Sequence, residues 1–112
     1  MTARTGRSRR AKGAAAENEV RDMIRAHGWT RCHRNFDSGS AGGGDIARGP
    51  EGIHLEVKRH EKLSLPTWLR QAEQEAAEHD IPVVAFRQSR GQWYACLPLD
   101  ELLPLLRMKE TA

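Results

Sequence analysis

With 112 residues, 38% hydrophobic and 5% aromatic, the chain is long enough for one domain with a modest core and too short for two. No apolar run approaches the roughly 20 residues that span a bilayer, so no membrane insertion is expected. The net charge of +3 is lopsided, because Arg4, Arg7, Arg9, Arg10 and Lys12 lie in a segment without a single acid and leave the remainder slightly acidic.

Residues 1–11 therefore read as a basic, flexible N-terminal arm and residues 12–112 as the domain. Such arms bind nucleic acid by neutralising phosphates and releasing counterions, and a solubilising tail has the same composition. The Arg-rich start lacks the apolar segment of a signal peptide, which predicts a cytoplasmic protein. Residues 11–27 predict the first helix, with Ala16, Val20, Met23, Ile24 and His27 on one stripe and Gly28 as its stop. Glu17 and Glu19 point to different sides of that helix, so at most one can join a site elsewhere; Glu17 lies slightly nearer the stripe. A glutamate in the first turns also serves the helix dipole.

Residues 29–36 predict an edge strand, neither face of which is purely apolar, with Arg31 and Arg34 available to phosphates. The Gly-rich stretch 37–44 has no Gly-Lys-Ser/Thr ending and is no Walker loop. Ser38 or Ser40 could donate to a phosphate oxygen, and a plain linker fits equally. Residues 45–47 predict a short strand and 48–52 a reversal, so that 53–60 would return as its hairpin partner. Ile53, Leu55 and Val57 alternate with His54, Glu56, Lys58 and His60, which puts Glu56 and Lys58 on one face and Asp45 beside them. Arg59 follows as a further candidate phosphate contact.

Mg2+ takes oxygen ligands, one or two of them carboxylates, and keeps waters that a substrate phosphate can replace. Two carboxylates with a lysine nearby thus suit a site in which a metal activates water against a phosphodiester. The same residues read equally as solvated polar positions of a hairpin with a weak salt bridge.

Beyond the reversal, residues 65 to about 80 predict a second helix with Trp68, Leu69, Ala72, Ala76 and His79 inward. Residues 82–87, the most apolar strand, and 92–97 are expected inside the sheet. Residues 99–108 predict a last helix with Asp100 near its N-cap and Pro104 limiting its regularity. Leu102, Leu103, Leu105 and Leu106 surround too much of that helix for one-sided burial, which points to a subunit contact. Cys32 and Cys96 fit no zinc spacing and are expected as free thiols. The order helix, three strands, helix, two strands, helix predicts an α/β domain, a mixed sheet flanked by helices.

Lys12-Gly13-Ala14-Ala15-Ala16-Glu17-Asn18-Glu19-Val20, His27-Gly28-Trp29, Ser38-Gly39-Ser40, Gly44-Asp45-Ile46 and Leu55-Glu56-Val57-Lys58 resemble archaeal Holliday junction resolvases and related phage enzymes of the PD-(D/E)XK nuclease superfamily. The resemblance runs from Lys12 to about Tyr94 and implies a restriction-endonuclease-like fold. It implies metal binding by Glu17, Asp45, Glu56 and the Val57 carbonyl, a lysine acting on the attacking water at Lys58, and a polar residue near the site at Gln71. Gly44 stands where the superfamily name has proline, and the short C-terminal part leaves the dimer surface unassigned.

The expectation is a Mg2+-dependent endonuclease, with Mn2+ able to substitute, that cuts four-way junctions or other branched DNA. One site per chain and two strands to cut call for a homodimer. A nickase or restriction-like nuclease on the same fold and a non-catalytic DNA-binding module are the alternatives; the presence together of Glu17, Asp45, Glu56 and Lys58 speaks against the last.

Overall fold

The computed structural model describes residues 2–36 and 44–112, with side chains of the first helix described from residue 13 onward. In chain order the elements are α1 (Thr2–Ala26), β1 (His33–Arg34), β2 (Ile46–Ala47), β3 (Ile53–Arg59), α2 (Leu65–Glu75), β4 (Ile81–Arg87), β5 (Tyr94–Cys96) and α3 (Leu99–Thr111). That is the predicted order and an α/β architecture. Among the described residues no helix is long and apolar enough to cross a membrane.

Helix α1 begins at Thr2 rather than residue 11, so the backbone of the basic segment is continuous with it. It stops as expected at Gly28, whose φ of 114° few other residues adopt and whose N–H donates to the Arg25 carbonyl. Ala16 and Val20 are buried, whereas Met23 and His27 are exposed. The expected strand over residues 29–36 shrinks to His33–Arg34. Residues 29–32 instead close a turn, Cys32 N–H to Trp29 carbonyl, which sinks Cys32 completely into the interior. Both cysteines are free.

The predicted hairpin does not form. β2 pairs antiparallel with β1, His33 opposite Ala47 and Arg34 opposite Ile46, and just before it Gly44 forms a parallel bridge to Leu55 of β3. The reversal is responsible. Arg48 and Gly52 both take positive φ, 57° and 78°, which swings the chain out of the hairpin plane. A side chain at Gly49 would touch Ile46, Ile24 and Cys32, so the turn is packed beneath α1.

β3, α2 and β4 form a crossover unit, which makes β3 and β4 parallel over seven residues, Ile53 opposite Ile81 through Arg59 opposite Arg87. β4 is the central strand, as its apolar run predicts. β5 pairs antiparallel with it and is an edge, with Tyr94 and Ala95 exposed, instead of an interior strand.

α2 is anchored by Trp68 and Ala72 on Val84, with Leu65, Leu69, Phe86 and Cys96 packed around them. It ends at Glu75 rather than near residue 80. Ala76 turns extended, with ψ 143°, and Asp80 N–H closes a separate turn onto the Ala77 carbonyl, leaving His79 exposed. α3 follows β5 after Leu97 and Pro98, and none of its residues is buried.

Candidate active site

The alternation of β3 decides which groups enter the interior. Glu56 lies opposite Val84 and Lys58 opposite Phe86, so His54, Glu56 and Lys58 face the side that α2 covers. His54 and Glu56 are 4% and 5% exposed, while Ile53 and Leu55 face the other way and are only partly covered. This is the reverse of an ordinary half-buried strand, and polar groups so placed need partners.

They find them in each other and in α2. His54 Nε2 lies 2.8 Å from Glu56 Oε1 and 4.0 Å from Glu75 Oε2. Gln71 Nε2 donates to Glu75 Oε1 at 3.2 Å, and the Lys58 ammonium reaches Gln71 Oε1 over a long 3.5 Å. Gln71 and Glu75 are four residues apart and therefore share one face of α2. His54 Nδ1 is buried with no partner among the described residues.

Asp45 arrives from the opposite edge of β3. Its N–H donates to the Leu55 carbonyl at 2.8 Å, and its Oδ2 accepts from the Val57 amide at 2.7 Å. A second clamp comes from Asn35, whose N–H donates to the Asp45 carbonyl and whose Nδ2 donates to the Gly44 carbonyl. Since the N–H and C=O of a strand residue point to the same edge, the Val57 carbonyl shares the Asp45 side. Gly44 makes this approach possible: at φ 76°, a Cβ there would run into the Leu55 carbonyl group.

The electrostatics of the site are those of acids short of positive charge. Burial raises Asp45 above the usual carboxylate range, and the charge of Glu17 adds to it against the pull of the Val57 amide and Lys58. Glu56 is pushed up to about 8 by burial, by Asp45 and by its hydrogen bond to Glu75. Glu75, hydrogen-bonded by Glu56 and Gln71, is held below its ordinary value. Two adjacent carboxylates that ionise reluctantly are what a cation would stabilise. Oxygen donors from Asp45, Glu56 and the Val57 carbonyl suit Mg2+ or Mn2+, and the imidazole of His54 at the cluster's edge favours the transition metal.

The other candidates fall in different places. Glu17 is close enough to bear on Asp45 and is salt-bridged to Arg34 at 2.8 Å, while Glu19 points away toward Trp93 and Arg87. Arg34 is thereby occupied, and its guanidinium also lies 5.0 Å from the Phe36 ring centroid. Arg31 is exposed and Arg59 partly so at the end of β3. Arg4, Arg7, Arg9, Arg10 and Lys12 belong to the first half of α1, with side chains outside the described residues, as are Ser38 and Ser40.

Sequence reasoning missed His54, Glu75 and Asn35. His54 was signalled by sharing the Glu56 face, and Glu75 by its four-residue spacing from Gln71; Asn35 had no signal of its own.

Residues 8–111 match the model of a protein family described as "Phage putative PDDEXK endonuclease". No curated protein and no solved structure matches the chain.

Proposed function

Because the chain belongs to the phage PDDEXK endonuclease family, we propose that it is a divalent-metal-dependent DNA endonuclease that cuts four-way junctions or similar branched DNA as a homodimer. The observation that carries this reading is the meeting of Asp45, Glu56 and Lys58 around the Val57 amide. Asp45, Glu56 and the Val57 carbonyl would hold Mg2+, with Glu17 behind Asp45. The ion would lower the pKa of a water and offset charge developing on the scissile phosphate.

The chain's own groups have distinct tasks. Asp45 is fixed at two points and gives up little mobility on binding the cation. Glu56 enters the site holding a proton that it shares with Glu75, and that proton must leave when the cation arrives. Lys58, steadied by Gln71, supplies positive charge and a donor beside the attacked phosphate. The water loses one proton to solvent as its oxygen bonds to phosphorus, one P–O ester bond breaks, and the departing alkoxide takes up a proton, so that one water is added across the bond. Phosphate contacts from Arg31, Arg59 and the basic first half of α1 would hold the backbone.

The test is cleavage of labelled four-way junction, flap, duplex and single-stranded DNA with Mg2+ or Mn2+ at equal protein occupancy. Lys58→Ala should still bind and cut about 10²-fold more slowly or worse. Asp45→Asn should bind metal-free DNA at least as well as the wild type, since it removes a negative charge facing the phosphates. Ca2+ should support binding with little cleavage. Equal rates for all three proteins, or no cutting of any substrate, would overturn the nuclease reading and leave a binding module.

A further inference from the structure

A second set of metal-ligating groups lies on the α2 side of β3. His54 and Glu56, two residues apart, send their side chains to the same face of the strand, and Glu75, the last residue of α2, reaches them from the helix. One ligand atom from each of the three lies within 4.8 Å of the other two, and Asp45 is not a member of the set. His54 Nε2 is 2.8 Å from Glu56 Oε1 and 4.0 Å from Glu75 Oε2. Donors bound to a tetrahedral Zn2+ at its usual bond lengths stand about 3.4 Å apart, so the two distances bracket what a cation needs.

The cluster differs from a group of surface acids in three ways. Its centre is buried, the His54 and Glu56 side chains being 5% and 7% exposed, with His54 Nε2 aimed at both carboxylates. His54 Nδ1 is buried with no partner among the described residues, so hydrogen bonding within the described chain satisfies only one of the two ring nitrogens. Glu75 is also oriented: Gln71 Nε2 donates to its Oε1 at 3.2 Å, and its Oε2 is the oxygen nearer His54. Finally, the Glu75 side chain is 51% exposed, which gives a cation a way in from solvent and the carboxylate room to close on it.

The donors select the metal. Mg2+ prefers oxygen ligands and keeps several waters, whereas an imidazole nitrogen beside two carboxylates suits Mn2+ and, further along the affinity order, Zn2+. Three protein ligands leave at least one position for water.

We infer that His54 Nε2, Glu56 and Glu75 form a transition-cation site, best suited to Zn2+, that is separate from the Asp45–Val57 position and joined to it through Glu56. A cation there ties the end of α2 to β3 and requires Glu56 as a carboxylate. The site goes beyond the cleavage reading and does not depend on it.

The experiment is calorimetric titration of the full chain with Zn2+ alone and with Mg2+ alone, with circular dichroism as the folding control and the side-chain 15N resonances of His54 as the direct reporter. Wild type should bind Zn2+ more tightly than Mg2+, and the His54 Nε2 resonance should shift with it. Glu75→Gln, at a half-exposed position, should weaken Zn2+ by about 100-fold or more, at least the loss that follows removal of a group orienting a ligand, and should weaken Mg2+ far less. Asp45→Asn should do the reverse. His54→Gln should lose Zn2+ as Glu75→Gln does; where that buried substitution unfolds the chain, Glu75→Gln and the His54 resonance decide by themselves. No Zn2+ binding by wild type, equal Zn2+ affinity in wild type and Glu75→Gln, an unshifted His54 resonance at saturation, or a Zn2+ loss in Asp45→Asn as large as in Glu75→Gln would each overturn the site. DNA left uncut while Zn2+ binds as expected overturns the cleavage reading alone.

Discussion

Gly44 is the residue on which the site's geometry turns. Its positive φ and the closeness of the Leu55 carbonyl group let the chain pass directly beside β3, and the next residue is Asp45. The position where the superfamily name has proline is occupied here by the one residue that fits. Gly44→Ala should lose roughly 1–2 kcal/mol to the left-handed backbone, plus a further loss from the collision, and should displace Asp45. Gly52 provides the comparison, since it has a φ of 78° and open space around it, so Gly52→Ala should show only the backbone loss. Thermal unfolding and cleavage of the two variants measure the difference; equal stability and equal activity would mean that the close approach at Gly44 is unimportant.

Among the elements, α1 has the most divided character. Its second half buries Ala16 and Val20 and presents Glu17 to the site, while its first half carries Arg4, Arg7, Arg9, Arg10 and Lys12 on a backbone that continues the same helix. Cations spread along a helix meet a phosphate backbone without reading bases. Deleting residues 2–10 should therefore weaken binding to every DNA shape alike and reduce the salt slope by about 0.9 log units for each phosphate no longer neutralised. Titrations of junction and duplex across a range of salt measure this, and an unchanged slope would show that the segment neutralises no phosphate. α2 is divided in another way: Trp68 and Ala72 hold it to Val84, and that anchorage sets Gln71 and Glu75 over β3.

The whole molecule carries its acids at a thermodynamic disadvantage when no cation is bound. Glu56 holds its proton to about pH 8 in the folded chain, against an ordinary 4.5. Between those values the folded state binds more protons than the unfolded state, so stability falls as pH rises through the window. Asp45 acts in the same direction. A cation that takes the proton's place should remove the decline and add stability by mass action, about 2.7 kcal/mol at a hundred times its Kd. Calorimetry should show a lower Tm at pH 8.5 than at pH 6 without metal, a smaller difference with Mg2+, and a flatter metal-free profile for Glu56→Gln. A Tm that rises with pH in the metal-free wild type would contradict this account.

The sequence alone determined what periodicity and single-residue chemistry encode within one element. The order of the eight elements, the stop at Gly28, the centrality of β4 and the shared face of Glu56 and Lys58 were all legible there, because each depends on neighbours a few positions away. The tertiary structure decided how elements meet. β2 abandoned the expected hairpin for β1 because left-handed residues at Arg48 and Gly52 redirected the turn beneath α1. Glu75 joined the acids only because the crossover through α2 lays that helix over β3. The polar face of β3 became the more buried one for the same reason. Alternation separates two faces of a strand, but which of them is covered depends on where the next helix packs, and that is set by residues distant in the chain.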